Sequence, residues 1–381
     1  MIHPRRLTAL TKKVISINSE NPPGNELVLA KFIEWDMKSL RIDVRTYTYV
    51  KGRPNVIAIL KGSWPRSKAK REAILITPHF DTVPIGKGWK HNPLGQITKG
   101  KIYGRGATDD KGNLACCMEV MRSLVEDNAV LKRDVILAAT VDEETGSHQG
   151  IIPLLEKKIL KPKVAVILDS DEFDTIVAQK GLIHCRIQIT GKKAHGAYNW
   201  QGINAIEQAA RIILKLKKYK PKYKRHKLLH APTLTVGVIK GGDKVNMVAD
   251  QCEFSVDFRF MPGMNAKEIV RDFKRIVATE TRRFKIIIDD VQQPYEIDSR
   301  LPLVDVYTQS AHKYKVKALI KGSEGATAIT FFKKYRIPAF ATGFGAADTA
   351  HTTDEYAVIN TLCKGAKILE QYIKDYDALM S

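Results

Sequence analysis

The sequence predicts an α/β protein whose central mixed, mostly parallel sheet is covered by helices and whose chain is interrupted by a smaller α+β domain. The first observation is that apolar strand-like segments alternate with amphipathic helix-like segments up to residue 169, a pattern typical of α/β sheets. The second is a change near residue 182, after which the strand-like segments alternate apolar and polar residues. The third is the return of the first pattern after residue 294.

The first block of the chain contains predicted strands and helices in alternation. Apolar runs predict strands at 55–60, 73–80, 134–141 and 164–169. Helical spacing of apolar residues predicts helices at 5–17, 26–40, 112–127 and 151–158. The basic segment 63–72 is predicted to be an exposed hairpin connection. Functional groups of such sheets gather just beyond the carboxyl ends of the strands.

The block from 182 to 293 is predicted to form a small ferredoxin-like domain. Its strands are predicted at 184–191, 233–242, 252–260 and 285–291, and its helices at 203–218 and 266–280. The resulting order, β-α-β-β-α-β, is that of ferredoxin-like units.

The pattern of the first block resumes after this insertion. It continues with helices at 302–314, 326–335 and 358–378, a loop at 321–327 and a strand at 337–343. The host domain is therefore expected to comprise residues 1–181 and 294–381, and the inserted domain residues 182–293.

Length and composition fit a globular protein of about two domains. The chain has 381 residues, 44% of them hydrophobic and 27% charged, and a domain averages roughly 150 residues. No apolar run approaches the roughly 18 residues of a membrane span, and residues 1–17 are expected to form an amphipathic helix rather than a signal peptide. The five cysteines are scattered without a Cys-x-x-Cys pair, which favours a reduced, cytoplasmic setting.

Positive charge is the one unusual feature of the composition. The formal net charge is +21, and the densest basic run, KLKKYKPKYKRHK at 215–227, interleaves Tyr219 and Tyr223. Such a run can contact nucleic acid or another anionic surface. The alternative is a solvated helix end and loop, and the absence of a known nucleic-acid-binding motif from the sequence favours this alternative.

Acidic residues and histidines stand beyond successive predicted strands and in one glycine-rich loop between them. They are His79, Asp81, Asp109, Asp110, Glu143, Glu144, Asp169 and His351. Each has a structural alternative: a hydrogen-bonded histidine, an aspartate of a turn, or a glutamate that caps a helix. Their joint occurrence at one edge of a sheet instead predicts a metal site.

The ligand types indicate which metals the site would hold. Histidine and carboxylate suit Zn²⁺ or a similar divalent ion, and two histidines with several carboxylates can hold two ions that share a bridging carboxylate. Asp81 can accept a hydrogen bond from the second imidazole nitrogen of His79. Of the adjacent Glu143 and Glu144, one can bind metal while the other acts on the attacking water.

Longer motifs run in order along nearly the whole chain. They are NPPGNE (21–26), HFDTVP (79–84), GWKHNPLGQITKGKIYGRGATDDKG (88–112), DEETGS (142–147), GKKAHGAYNWQGINAI (191–206), PTLTVGVIKGG (232–242), DFRFMPG (257–263) and AHTTDEY (350–356). In this combination they resemble the acetylornithine deacetylase, succinyl-diaminopimelate desuccinylase and aminoacylase/carboxypeptidase family of dizinc metallohydrolases.

The resemblance implies two Zn²⁺ per chain, which Co²⁺ or Mn²⁺ could replace, and a role for each strand-end residue. The ligands would be His79 and Asp169 for one ion, Glu144 and His351 for the other, and Asp109 as the bridge. Glu143 would be the general base and Asp81 the partner of His79. Asp171 and Glu172 are nearby candidates for the place of Asp169. The peptide bond after Asp109 is often cis in this family.

The resemblance also assigns roles in the inserted domain, which would act as a lid and dimerisation domain. His195 would reach the active site of the partner subunit, which implies a homodimer. Arg259 would bind a substrate carboxylate, and Asn246 would make a polar contact nearby. The alternatives are a turn histidine for His195 and a solvent-facing strand residue for Arg259.

The function implied is hydrolysis of the amide bond of an N-acyl amino acid, with a metal-bridging water as nucleophile. A dipeptidase or carboxypeptidase of the same family is the alternative, since both cleave an amide beside a free carboxylate. Ala328 and Thr330 stand where many relatives have Asp and Arg, which disfavours a diacid substrate. A nucleic-acid-binding protein on a hydrolase scaffold is a remote alternative, because the ligand set and Glu143 are intact. A metal-binding protein without turnover is a third.

Overall fold

The chain is described here by a computed structural model that covers residues 1–379. Contacts divide it into two units, each described by itself. The first comprises Met1–Val177, Ile297–Lys321 and the residues from Thr327 onward, and the second comprises Ala178–Glu296 and Gly322–Ala326. Residues 322–326, expected in the host domain, thus group with the second unit.

The helices are α1 (Pro4–Ser16), α2 (Leu27–Lys38), α3 (Arg66–Arg71), α4 (Lys111–Glu126), α5 (Ile151–Glu156), α6 (Ala205–Lys217), α7 (Ala266–Ala278), α8 (Pro302–Lys313), α9 (Ile329–Lys333) and α10 (Ile359–Leu379). Short 3₁₀ turns lie at Glu143–Thr145 and Gly196–Gln201. Among residues 1–379, none of the helices combines the length and apolar character that a membrane crossing requires.

The strands are β1 (Asp43–Val50), β2 (Arg53–Leu60), β3 (Ile74–Thr77), β4 (Gln96–Thr98), β5 (Lys101–Tyr103), β6 (Val135–Ala139), β7 (Val164–Leu168), β8 (Thr175–Gln179), β9 (Gly181–Thr190), β10 (Thr233–Gly241), β11 (Gln251–Phe260), β12 (Phe284–Gln292), β13 (Tyr295–Glu296), β14 (Ile320–Ser323), β15 (Ala339–Thr342) and β16 (Tyr356–Val358).

The main sheet of the first unit has the strand order β1-β2-β6-β3-β7-β15-β8. Its centre is parallel, because β3 pairs in parallel with β6 and β7, and β7 with β15. Its flanks are antiparallel, at β1–β2, β2–β6 and β15–β8. The predicted α/β class with a mixed sheet is confirmed, and the parallel pairing is confined to the centre.

The central strands consist of apolar residues except for Thr77, and every residue of β3, β6 and β7 is buried. A strand buried on both faces requires such a continuous apolar run. Because these parallel strands end at the same edge of the sheet, the side chains that follow them are brought together. That edge carries the predicted metal ligands.

The predicted hairpin connection at 63–72 is wrong. This segment contains helix α3, and the strands that it joins do not pair with each other, because β2 and β3 lie on opposite sides of β6. A hairpin requires two consecutive strands that pair. Arg66 fixes the helix by pairing with the buried carboxylate of Asp134.

The second unit contains a four-stranded antiparallel sheet of order β10-β11-β9-β12 with helices α6 and α7. Alternate side chains of the central strands, among them Ile187 and Phe254, are buried in one core with Phe273 of α7. The chain order β-α-β-β-α-β and this strand order confirm the ferredoxin-like prediction. Asn204 and Asn265 cap the two helices by accepting backbone N–H bonds.

Candidate metal centre

The site is built by the segments that follow strands β3, β6, β7 and β15 and by one loop before α4. His79 follows β3, Glu143 and Glu144 follow β6, and Asp169 follows β7. His79 forms a parallel bridge with Thr140, and Phe80 N–H donates to Thr140 O at 3.0 Å, so the ends of β3 and β6 remain in register beyond the strands.

Asp109 is common to two groups of potential ligands. The first group is His79, Asp109 and Asp169, and the second is Asp109, Glu144 and His351; within each group the ligand atoms lie within 4.8 Å of one another. Asp109 Oδ1 is 2.9 Å from His79 Nε2, and its Oδ2 is 3.0 Å from His351 Nε2. One carboxylate therefore faces two histidines from opposite oxygens. The Asp109–Asp110 peptide bond is cis.

The raised pKa values in this cluster indicate a site for cations. Burial and the charge of Asp109 raise the pKa of Asp169 to about 7. Burial and the charge of Asp169 raise the pKa of Glu143 well above its ordinary value. Hydrogen bonds to Asp109 and Glu144 raise the pKa of His351 to about 10. Without metal, these groups retain protons that bound divalent ions would displace. A set of histidines and carboxylates of this kind fits Zn²⁺.

Asp81 connects the segment that follows β3 with the segment that follows β6. Its main-chain oxygen lies 3.1 Å from His79 Nδ1, and its carboxylate accepts the N–H groups of Glu143 at 3.1 Å and Glu144 at 3.2 Å. Asn21 Nδ2 donates to the same carboxylate at 2.9 Å. Burial alone would raise the pKa of Asp81, but its contacts with His79 and Asn21 lower it.

The three consecutive acids at 142–144 avoid mutual repulsion by pointing to different partners. Asp142 adopts a left-handed backbone with φ of 69° and pairs with Arg53 Nη1 at 2.9 Å. Glu144 Oε2 lies 3.1 Å from His351 Nε2. Glu143 is close enough to Asp169 and Glu144 for their charges to raise its pKa. The turn thus directs Asp142 and Glu144 to different cationic partners.

A comparison with known families identifies the protein class. Residues 75–375 match the family model described as Peptidase family M20/M25/M40. The chain belongs to this family. It is accordingly a metal-dependent hydrolase, and the resemblance predicted from the motifs is confirmed.

Individual relatives of this M20 hydrolase include curated proteins and solved structures. The chain is 25% identical over 389 residues to acetylornithine deacetylase from Proteus mirabilis (strain HI4320), covering 98% of this chain and 95% of the relative. A tripeptidase from Staphylococcus aureus subsp. aureus Mu50 has a TM-score of 0.83 at 22% identity, with 99% and 100% of the two chains covered. A Bacillus subtilis protein described as a dinuclear metal binding peptidase of the M20 family has a TM-score of 0.75 at 16% identity, with 97% of each chain covered. Both structures share the fold.

Sequence reasoning named Asp110 as a candidate ligand of this M20 hydrolase but missed Glu355, and it did not predict that both act on the site through the backbone. Asp110 Oδ2 accepts the His79 N–H at 3.1 Å, and Asn113 donates to its other oxygen at 2.6 Å. Glu355 accepts the Asp109 N–H at 3.0 Å. The signals were present as the second Asp of ATDDKG and the Glu of TTDEY, but a carboxylate that binds an amide leaves no spacing pattern.

The other predicted functional residues of the M20 hydrolase lie in the second unit, whereas the five predicted ligands all lie in the first. His195 precedes a 3₁₀ turn and accepts the Ala197 N–H at its Nδ1, 3.0 Å away. Asn246 O accepts the Gly196 N–H at 2.8 Å. Arg259 on β11 donates twice to Asp257, at 2.8 and 2.9 Å. Their functional roles stay predictions.

Proposed function

We propose that this M20 hydrolase is a dinuclear-zinc amidohydrolase that removes the acyl group from an N-acyl amino acid. The observation that carries the proposal is the pair of ligand groups joined by Asp109, with Glu143 beside them. The similarity to an acetylornithine deacetylase over 98% of the chain supports this substrate class. Co²⁺ or Mn²⁺ would suit the same donors.

His79 and Asp169 would hold one ion, Glu144 and His351 the other, and Asp109 would bridge them. The two ions would supply Lewis acidity, which acidifies a water molecule and polarises the scissile carbonyl. Glu143 accepts the proton of the attacking water and then delivers it to the leaving amine. Burial and neighbouring carboxylates raise its pKa in the metal-free chain, and bound divalent ions would lower it again.

Three residues of the second unit are proposed to act on the substrate. Arg259 would bind the substrate carboxylate, with Asn246 as a polar neighbour. His195 of the partner subunit would stabilise the oxyanion of the tetrahedral intermediate, a contribution of about 3–4 kcal/mol in comparable sites. This role requires a homodimer through the inserted domain.

A dipeptidase or carboxypeptidase activity is the alternative within the family. It is favoured by the structural likeness to a tripeptidase, and it needs the same metals and base. Ala328 and Thr330 are small and buried, so neither offers the cationic grip that a second substrate carboxylate would need. Both candidate activities thus point to a substrate with one free carboxylate.

Nucleic acid is a weaker candidate partner. Tyr219 of the basic run is not a free stacking surface, because it packs on Phe258 and Phe273 and donates to Asp272 at 2.8 Å. Of the two tyrosines in the run, only Tyr223 is exposed, at 43%. Proteins that bind single-stranded nucleic acid stack bases on aromatic side chains. The basic run offers one such ring, Tyr223.

A cytoplasmic location is proposed from the cysteines. All five are free and buried, and burial raises the pKa of the Cys116 and Cys117 thiols. Buried thiols that form no disulfide suit a reducing compartment.

The proposed function is tested by turnover of a substrate panel by the Zn²⁺-loaded protein. The panel holds acetylornithine, other N-acetyl amino acids, succinyl-diaminopimelate and several dipeptides. We expect cleavage of N-acetyl amino acids, and a loss of about 10²–10⁴-fold in Glu143→Gln with unchanged metal content. Glu156→Gln, an exposed helix residue, is the matched control and should retain full activity. A preference for dipeptides would replace the deacylase assignment, and two bound ions without any turnover would refute the substrate class.

A further inference from the structure

Glu355 is a fully buried carboxylate that accepts four hydrogen bonds. Its Oε1 accepts the N–H groups of Thr108 at 2.9 Å and Asp109 at 3.0 Å. Its Oε2 accepts Gly106 N–H at 3.2 Å and Arg105 Nη1 at 2.6 Å. Every one of these contacts is with a donor, and together they hold the backbone of the segment that ends in Asp109, the predicted bridging ligand.

Arg105 extends this contact to a second segment. Besides Glu355, its Nη1 donates to Thr352 O at 3.1 Å, one residue after His351. The guanidinium is buried, lies 5.2 Å from the ring centre of Trp89, and leaves its Nε without a hydrogen-bond partner among residues 1–379. Burying a cation in this way costs free energy. Through these contacts Arg105 joins residues 105–109 to residues 351–355.

His351 is the predicted ligand with the least support from regular structure. Its side chain is 53% exposed, its φ is 62°, and it lies between β15 and β16 in a segment without helix or strand. His79, by contrast, is buried and bridges to Thr140 beside the central strands. The position of His351 relative to Asp109 therefore depends on contacts such as those of Arg105 and Glu355.

We propose that Glu355, paired with Arg105, is a positioning residue that fixes the Asp109 and His351 segments against each other so that the Asp109–Glu144–His351 group binds its metal ion. Glu355 touches neither substrate nor metal in this role. It acts through the Asp109 amide, and Arg105 acts through the Thr352 carbonyl. The proposal rests on the dinuclear site of the proposed function, although its test requires no turnover.

The test compares Glu355→Gln with a matched control, Glu119→Gln. Glu119 is equally buried and accepts Arg6 Nε at 2.8 Å, Arg6 Nη2 at 2.9 Å and His3 N–H at 2.8 Å. Both variants remove one buried, arginine-paired carboxylate, but only Glu355 contacts a segment that carries a predicted ligand. Metal-free protein is titrated with Co²⁺ alone, and binding is followed by visible absorption and by metal content after dialysis.

We expect the wild-type chain and Glu119→Gln to bind two equivalents of Co²⁺ alike. In Glu355→Gln the second equivalent should bind about 10–100-fold more weakly, the usual effect of losing a residue that orients a ligand. Arg105→Lys keeps the charge but removes the planar guanidinium, whose Nη1 donates to both Glu355 and Thr352, and it should show the same selective loss. This second variant keeps the test decisive if Glu355→Gln does not fold.

Wild-type Co²⁺ binding in the Glu355 and Arg105 variants, or an equal loss in Glu119→Gln, would overturn the proposal. Failure of the proposed function would look different. In that case the wild-type chain binds two ions and cleaves none of the panel, while the difference between Glu355→Gln and Glu119→Gln persists.

Discussion

At the scale of single residues, the proposed metal ligands would couple proton binding to metal binding. In the metal-free chain, the pKa of Asp169 is raised to about 7 by burial and by Asp109, and the pKa of His351 is raised to about 10 by its bonds to Asp109 and Glu144. Metal ions bind the deprotonated forms of both groups. Protons therefore compete with metal below pH 7 at both residues, and between pH 7 and pH 10 at His351.

The first prediction is that metal affinity rises with pH, and more steeply below pH 7 than above it. Each proton released changes the affinity by about tenfold per pH unit. Calorimetric titration with Zn²⁺ in buffers of different ionisation enthalpy measures the number of protons released. Binding that is independent of pH between pH 5.5 and pH 8 would contradict the assignment of Asp169 and His351 as ligands.

The ligand candidates could be read from the sequence because they follow apolar runs. His79, Glu144 and Asp169 each stand within five residues of the end of a fully buried strand, so the change from apolar to charged residues marks them. Asn21 and Glu355 act by hydrogen bonding to distant groups, across 60 and 246 residues. Such contacts depend on the tertiary fold, which no local pattern encodes.

At the scale of elements, the site depends on how closely β7 and β15 approach beyond their ends. Gly343 follows β15, and a Cβ there would lie 1.6 Å from Ser170 O and 2.5 Å from Ser170 C. Asp169 N–H donates to Thr342 O at 2.9 Å, and Phe173 N–H donates to Gly343 O at 2.8 Å. Because these are backbone contacts next to Asp169, an added methyl group must displace that residue.

The second prediction is that Gly343→Ala both destabilises the chain and weakens metal binding. Overpacking of this kind costs about 1–3 kcal/mol of the free energy of unfolding, and the shift of Asp169 should weaken one of the two metal equivalents. Denaturant unfolding and Co²⁺ titration measure the two effects. Gly237→Ala is the control, because a Cβ there meets nothing within 4 Å, and it should change neither quantity.

Elements with strong periodicity were predictable, and short or polar ones were not. Helix α4 and strands β6 and β7 lie within two residues of their expected bounds. Strand β1, DVRTYTYV, was missed because it is an edge strand whose residues are all at least partly exposed, so it carries no apolar run. Helix α3, RSKAKR, buries Ala69 alone, and a single apolar residue gives no helical period.

At the scale of the whole molecule, the second unit exposes the features of an association surface. Strand β10 is an edge of its sheet, and a register shift between Val236 and Val238 turns two neighbouring apolar side chains outward. Val238 is 48% exposed and Ile239 51% exposed. Edge strands with exposed apolar residues pair readily with another chain unless they are protected. This edge is the proposed place of contact in the homodimer.

The third prediction is that Ile239→Lys converts a dimer into a monomer and abolishes most of the turnover while leaving the metal content unchanged. A charge in the edge contact opposes pairing, and the proposed oxyanion contact of His195 comes from the partner subunit, whereas all five ligands lie in one chain. Losing one oxyanion donor costs about 10²–10³-fold in kcat.

Ile288→Lys on β12, the opposite edge, is the matched control, since Ile288 is 40% exposed. Sedimentation equilibrium, metal analysis and turnover are measured on the same samples. A monomeric wild-type chain with full activity would contradict a site that is completed by the partner subunit. An inactive monomer that has also lost its metal would contradict it as well.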